Sequence, residues 1–336
     1  YDTMWLTEHH FQYEGYEVTP NLILFGLHLA KETERLRLGQ MFNVVPQWHP
    51  LRLAEDAAMM QILTNNRMQF GVGRGTVPRE AQSLGGVVAS GDNEMSAELD
   101  RVNREIFEES MEIIKEAWYN ERFSFTGKHF VLPPPGIPDR GSTVQDLTLI
   151  PKPIAPIDVW QAVTSPATLE YTARVGHHAV MPARGIEKTK TWWDDFGAKA
   201  NEHGWELGQG DHRCLALNAH VGRTSDEARN GARNAHDEWI KFLSPYGRFR
   251  SYSMPDGSET PFDHKPSLED SIDQDVMAIG SVEEVADTMG RYRDEVGVEH
   301  FVLFFDMPGL TQEAMNEQLE LMATEVLPRI GADLNS

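Results

Sequence analysis

The chain has 336 residues and a formal net charge of −22, because 52 acidic side chains outnumber 30 lysines and arginines. Such an acidic chain is a poor partner for nucleic acids and anionic membranes, which both need clustered basic residues. No apolar run approaches the roughly 20 residues that span a bilayer, and the single cysteine, Cys214, excludes an internal disulfide and fits the reducing cytoplasm.

Short apolar segments alternate with longer amphipathic segments along the chain. We predict seven strands, over Thr3–Glu8, Leu36–Val45, Met68–Gly73, Asp158–Val163, His178–Pro182, Cys214–Val221 and Glu299–Phe305. Between and after them we predict helices over Pro50–Leu63, Leu99–Trp118, Pro166–Val175, Ser225–Leu243, Ser281–Val296 and Gln312–Leu327. This alternation predicts an α/β fold with a parallel sheet, either open or closed into a barrel.

Two stretches interrupt the alternation. Residues 119–157 are rich in proline, and residues 244–275 are rich in Ser, Pro, Gly and Asp. Both are too long to be simple connectors. We interpret them either as elements that face a substrate or as surface insertions.

The strand count favours a single-domain barrel over residues 1–336. Seven strands that alternate with helices are one βα unit short of a (β/α)8 TIM barrel. A barrel with one strand absent would leave two open edges. We therefore expect that a first βα unit precedes Tyr1 in the natural protein.

Glu8, His9 and His10 end the first predicted strand. In a parallel barrel, side chains just beyond the carboxyl end of a strand line the active site. Adjacent histidines can ligate a metal, but no HxH or HExxH motif accompanies them, and we predict no metal site. Imidazoles that are merely hydrogen-bonded remain an alternative interpretation.

Four blocks in order resemble the bacterial luciferase-like family of flavin-dependent monooxygenases. They are Tyr1–Phe11; Val45–Asp56 with Asn66–Gly75; Trp160–Thr168; and Gly280–Val285 with Gly297–Phe301 and Glu325–Pro328. The resemblance implies a (β/α)8 barrel, usually dimeric, that takes reduced FMN from a separate flavin reductase. It also implies oxygenation of a hydrophobic small molecule through a flavin C4a-hydroperoxide.

The resemblance assigns several residues to the flavin phosphate. Arg74 matches a strand-end arginine, and a guanidinium can pair bidentately with a phosphate. Thr164, Ser165 and Thr168 lie where a helix begins, which suits an anion; Ser165 is also an ordinary helix N-cap. Arg104 matches a second phosphate arginine, with a surface ion pair to Glu105 or Glu108 as the alternative.

The resemblance also places residues around the flavin ring and the substrate. Met41 and Phe42 match a bulge that often holds a non-proline cis peptide, and Gly73 stands where luciferase has a reactive cysteine, which leaves room beside the flavin. His9 matches the catalytic base, and Glu8, His10 and His49 are expected in the same polar cluster. Residues expected to shape the pocket for flavin or substrate, with core packing as the alternative, are Trp5, Met41, Phe42, Phe304 and Phe305.

Three other functions compete with this interpretation. The first is an F420-dependent oxidoreductase on the same fold, which transfers hydride without oxygen. The second is a non-catalytic relative that only binds flavin. The third is a metal-dependent barrel hydrolase, which would need a metal at His9 and His10.

Overall fold

The computed structural model describes residues 1–12, 19–89, 91, 93–305 and 308–332. The chain divides into two compact units: an N-terminal unit of Asp2–Trp160, and a C-terminal unit of Gln161–Ser336 together with Tyr1. Helices alternate with parallel strands in both units, which confirms the predicted α/β class.

Parallel strands organise the N-terminal unit. Its strands are β1 (Thr3–Leu6), β2 (Arg37–Gln40), β3 (Asn43–Val44), β4 (Met68–Gly73), β5 (Phe125–Thr126), β6 (Val131–Leu132), β7 (Pro138–Asp139) and β8 (Ser142–Thr143). Its helices are α1 (Leu22–Lys31), α2 (Pro50–Leu63), α3 (Pro78–Ser83) and α4 (Glu94–Tyr119). Strand β2 pairs in parallel with both β1 and β4, so the carboxyl ends of these three strands lie at one edge.

The C-terminal unit is built around one long strand. After β9 (Val159–Ala162), which contains the boundary between the units, its strands are β10 (His178–Pro182), β11 (Arg213–Gly222), β12 (Met277–Ser281) and β13 (Phe301–Phe304). Its helices include α5 (Pro166–Val175), α6 (Ile186–Glu202), α7 (Ser225–Leu243), α8 (Leu268–Asp273), α9 (Val282–Arg291) and α10 (Gln312–Leu321). Strand β11 pairs in parallel with β10, β12 and β13.

The structure corrects the strand count. The segment Met277–Ser281 is a strand that the sequence analysis missed, because it is short, contains Gly280 and follows directly on the polar stretch 244–275. The count of seven was therefore wrong, and it carries no information about what precedes Tyr1. The predicted strand Leu36–Val45 is in fact two strands, β2 and β3, with Met41 and Phe42 between them.

Each unit has its own apolar core. In the N-terminal unit, α2 and α4 pack together and bury side chains such as Leu53, Met60 and Met111. In the C-terminal unit, Trp193 and Phe196 of α6 pack in a cluster with strand residues such as Leu215. Cys214 is also buried, and burial raises the pKa of its thiol to about 12. No helix within the described residues is long and apolar enough to cross a membrane.

Candidate functional site

Glu8 is a buried carboxylate with a full set of donors. It follows the end of β1, and its side chain is almost inaccessible to solvent. Its Oε2 accepts the backbone N–H of Val44 at 2.9 Å, and Trp48 Nε1 donates to both carboxylate oxygens at 3.2 and 3.3 Å. His10 Nε2 lies 3.0 Å from Glu8 Oε1. Glu8 therefore anchors the segment after β1 to the segment after β2, and it holds His10 in place.

His9 pairs with a second buried carboxylate, that of Glu80 on α3. Its Nδ1 lies 3.1 Å from Glu80 Oε1, and Gln12 also donates to this oxygen at 2.6 Å. Burial alone would raise the pKa of Glu80, but hydrogen bonds from His9, Gln12 and the His10 backbone, together with the His9 charge, lower it below its usual value. Glu80 is therefore ionised at neutral pH and favours the tautomer in which His9 carries a proton on Nδ1.

The segment between β2 and β3 approaches β4 closely. The peptide bond between Met41 and Phe42 is cis, as the family resemblance implied. A Cβ at Gly71 would lie 1.7 Å from the carbonyl oxygen of Gln40, and one at Gly73 would lie 3.1 Å from Phe42 Cβ. The room expected beside Gly73 is thus partly taken by Phe42, and the backbone itself requires glycine at position 71.

Trp5 lies against a glycine on the neighbouring strand. A Cβ at Gly39 would come within 2.2 Å of the Trp5 ring, so the ring covers the backbone of β2 at that point. The ring of Trp160 meets it edge-on, with centroids 5.4 Å apart. The half-buried Trp5 therefore forms part of an aromatic pair beside β2.

Two arginines of the N-terminal unit share one carboxylate. Arg74, just after β4, donates from Nη1 to Asp100 Oδ1 at 2.8 Å and to Asn103 Oδ1 at 3.2 Å. Arg104 Nη2 lies 3.6 Å from the other oxygen of Asp100. The structure therefore brings Arg74 and Arg104 together, and the partner of Arg104 here is Asp100 rather than the expected Glu105 or Glu108. We call Arg74 and Arg104 the arginine pair; together with Asp100, their side chains carry one net positive charge.

The N-terminus of α5 carries the predicted hydroxyl groups. Ser165 is the N-cap: its Oγ accepts the backbone N–H of Thr168 at 3.2 Å and lies 2.9 Å from Thr168 Oγ1. Since Pro166 has no N–H and the N–H of Thr168 is used by the cap, the first turn offers an anion fewer backbone donors than the sequence suggested. The carbonyl oxygen of Thr164 accepts a hydrogen bond from Arg184 Nη2 at 3.1 Å.

The remaining predicted residues have local roles. His49 is the N-cap of α2, where its Nδ1 accepts the backbone N–H of Leu51 at 3.3 Å, so its described hydrogen bond joins it to that helix rather than to Glu8. Phe305 is buried in the core cluster of the C-terminal unit, where its ring meets Tyr1 edge-on with centroids 6.5 Å apart. Phe304 is half-buried at the end of β13.

Glu80 and Asp100, the carboxylates that hold His9 and Arg74, were not predicted from the sequence. Each lies more than 20 positions from its partner, and no motif links them. Within the described ranges, no three His, Cys, Asp or Glu side chains come together as a metal site would require.

Comparison with known proteins identifies the family. The model of the luciferase-like monooxygenase family matches residues 1–300. The 4-hydroxyprotoasukamycin monooxygenase of Streptomyces nodosus subsp. asukaensis is 25% identical over 341 residues, which cover 100% of this chain and 84% of that protein. The oxygenase component of a flavin-dependent trigonelline monooxygenase from Acinetobacter baylyi is 24% identical over 331 residues, covering 97% and 84% of the two chains.

A solved structure has the same fold. The oxygenating constituent of 3,6-diketocamphane monooxygenase from Pseudomonas putida, a type II Baeyer–Villiger enzyme in complex with FMN, superposes with a TM-score of 0.73 at 20% identity. The match covers 98% of this chain and 88% of that one. The chain therefore belongs to the luciferase-like monooxygenase family, as the sequence predicted, and it has the α/β barrel fold class of that family.

Proposed function

We propose that this monooxygenase is the oxygenase component of a two-component system, which uses reduced FMN and O2 to oxygenate a hydrophobic small molecule. The bound reduced flavin supplies the electrons that activate oxygen. A flavin-dependent relative named as an oxygenase component and a structural neighbour in complex with FMN support this cofactor and the separate reductase.

The pairing of His9 with Glu80 is the observation that carries the proposal. An imidazole whose Nδ1 donates to an ionised, buried carboxylate is fixed in orientation, and its Nε2 is then the nitrogen that takes up or releases a proton. Such an imidazole is suited to proton transfer near neutral pH. Glu80 acts as its positioning residue, and Glu8 orients the neighbouring His10.

The donors present fit a phosphorylated flavin. The arginine pair holds a net positive charge in a chain of −22, and guanidinium groups bind phosphate through charge-assisted hydrogen bonds. In the C-terminal unit, the hydroxyl groups of Ser165 and Thr168 are neutral phosphate donors. The arginine pair and the two hydroxyl groups are proposed separately, each from its own geometry, and each can be tested by itself.

Titration with reduced FMN, reduced riboflavin and F420 tests the cofactor assignment. We expect the wild-type protein to bind reduced FMN more tightly than reduced riboflavin, because only FMN carries the phosphate. Arg74→Ala and Ser165→Ala should each reduce that preference. Because Arg74→Ala removes a charge-assisted contact, we expect it to weaken the binding of reduced FMN about tenfold. Tight F420 binding without FMN binding would contradict the proposal, and affinity for reduced FMN unaltered by Arg74→Ala would remove that residue from the phosphate site.

The pH dependence of flavin reoxidation tests His9. We expect the rate at which O2 reoxidises protein-bound reduced FMN to change with pH as one group at the site gains or loses a proton. This transition should disappear in His9→Ala and persist in His203→Ala, a partly exposed histidine on the surface of the C-terminal unit that pairs with Glu170. A transition that survives in His9→Ala would assign the proton transfer to another group.

We further propose a dimeric enzyme in the cytoplasm, reduced by a separate flavin reductase. A single buried cysteine suits a reducing compartment. Sedimentation equilibrium of the pure protein tests the dimer; a monomer at micromolar concentration would contradict it.

A further inference from the structure

Arg184 is a half-buried cation without a carboxylate partner in the described part of the C-terminal unit. It follows the carboxyl end of β10, the edge of a parallel sheet at which barrel enzymes bind their substrates. Its guanidinium carbon lies 4.0 Å from the centre of the Trp192 ring, and its Nη2 donates to the carbonyl oxygen of Thr164. Its Nε is buried and has no acceptor among the described residues. Burial lowers the pKa of Arg184 to about 10, so the side chain remains charged at neutral pH.

Two further cations share a cavity with Arg184. Lys188 Nζ donates to Ser251 O at 2.6 Å and to Ser253 Oγ at 2.8 Å, both neutral acceptors. The cavity has a volume of about 310 Å³, and its lining is Arg184, Lys188, Thr191, Trp192, Arg250 and Ser251. We call this space the cationic cavity. Its lining has three cations and no acidic residue, although Arg250 also pairs with Glu259 at 3.2 Å.

A neighbouring cavity has acidic residues in its lining, so the absence of acidic residues is particular to the cationic cavity. A space of about 360 Å³ also touches Arg184 and Lys188, but its lining includes Glu187, Asp275 and Glu295. Asp275 there is paired with Arg291. An anion would meet like charges in that space but not in the cationic cavity.

We propose that the cationic cavity binds the carboxylate of the substrate, so that the enzyme acts on organic acids with an apolar body. This inference rests on the proposed monooxygenase function and names its substrate class. Arg184 and Lys188 supply charged donors for the carboxylate, the start of α6 adds the positive end of its dipole, and Trp192 is the apolar side chain in the lining. The stretch 244–275 contributes Arg250 and Ser251 to the cavity, which favours its interpretation as a substrate-facing element.

Calorimetric titration with a matched pair of probes tests the site. The probes are 3-phenylpropanoate and its neutral amide, 3-phenylpropanamide, added to the complete chain at pH 7.5. We expect the wild-type protein to bind the acid more tightly than the amide. Arg184→Gln should weaken acid binding about tenfold, or about 1.4 kcal/mol, and Lys188→Gln should weaken it several-fold. Both variants should leave amide binding unaltered.

Lys190→Gln is the matched control, since Lys190 lies on the same helix but pairs with Asp194 and does not line the cavity. It should bind the acid as the wild type does. Equal affinity of the wild type for acid and amide, or no loss in the Lys188→Gln variant, would overturn the inference even if Arg184→Gln fails to fold.

A parallel titration with FMN and riboflavin distinguishes the two sources of an oxyanion. If Arg184→Gln weakens binding of FMN but not of riboflavin, and leaves acid binding intact, Arg184 belongs to the flavin phosphate site and the inference is wrong. If the wild type binds the acid but no FMN, the proposed FMN-dependent function is wrong, whereas the anion-binding site is supported.

Discussion

The charged side chains near the strand ends have different kinds of partner in the two units of the molecule. In the N-terminal unit, charged side chains lie against partners of opposite charge: His9 lies against Glu80, and Arg74 and Arg104 share Asp100. In the C-terminal unit, Arg184 and Lys188 donate only to neutral oxygens in the hydrogen bonds that the structure describes. The first arrangement fixes side-chain positions, whereas the second leaves charge that a ligand can neutralise.

This difference has a physical basis in the cost of burying charge. A buried charge that loses its partner is strongly destabilising, so paired groups contribute to the stability of the fold. A cation that is kept half-buried beside an aromatic ring, without a carboxylate, contributes less to folding and more to the binding of an anion. Substitutions should therefore have larger effects on stability at the buried carboxylates of the N-terminal unit than at the cationic cavity.

Removing Glu8 should have the largest effect on stability. Glu8→Ala leaves the backbone N–H of Val44 and the indole N–H of Trp48 without their acceptor, so we expect the free energy of unfolding to fall by about 3 kcal/mol or more. Urea unfolding measures this. Glu8→Gln, which keeps an acceptor oxygen, should recover part of the loss. A loss below about 1 kcal/mol would mean that the donors find water instead.

Replacing Glu80 should have the next largest effect, and it should depend on pH. Because its pKa is lower in the folded protein, the stabilisation from Glu80 is fully present above the ordinary carboxyl pKa and is lost as the pH falls through the folded value. We expect Glu80→Gln to lower the free energy of unfolding by about 1–2 kcal/mol at pH 7.

The difference between wild type and Glu80→Gln should shrink on acidification below the usual carboxyl range. Denaturant unfolding of both proteins at a series of pH values measures this. A difference that stays constant down to acidic pH would show that the Glu80 charge does not stabilise the fold.

Asp100→Asn should lower the stability less than the substitutions at Glu8 and Glu80, and it should strengthen cofactor binding. Asp100 is 43% exposed, so its ion pairs are screened by solvent, and we expect a loss of about 1 kcal/mol or less. Without this carboxylate, the net positive charge around Arg74 and Arg104 rises from one to two, so reduced FMN should bind several-fold more tightly while riboflavin is unaffected. Weaker FMN binding would mean that Asp100 positions the arginines rather than competing with the phosphate.

Lys188→Gln should have the smallest effect on stability. Lys188 lies at the surface, and its described acceptors are neutral, so we expect the free energy of unfolding to change by no more than about 0.5 kcal/mol. Thermal unfolding in the absence of added anions measures this. A large loss of stability would mean that Lys188 stabilises the fold, as the paired charges of the N-terminal unit do, and the contrast between the two units would be wrong.

Local patterns in the sequence predicted much of the fold. The alternation of apolar strands and amphipathic helices predicted the α/β class, and Ser165 was predicted as the N-cap that it is. The strand at Met277–Ser281 was missed because five residues with an internal glycine carry little periodic signal. The sequence blocks identified the family because short motifs keep their order along the chain.

The sequence by itself determined most of the strands and helices, where α5 begins and to which family the chain belongs, since periodicity, capping and motifs depend on neighbouring residues. Only the tertiary structure decided which charges are neutralised. His9 and Glu80 are 71 positions apart, and Lys188 and Ser253 are 65 apart. Packing brings such residues together through contacts that no local pattern encodes, and burial then determines whether a charge needs a partner or is available to a ligand.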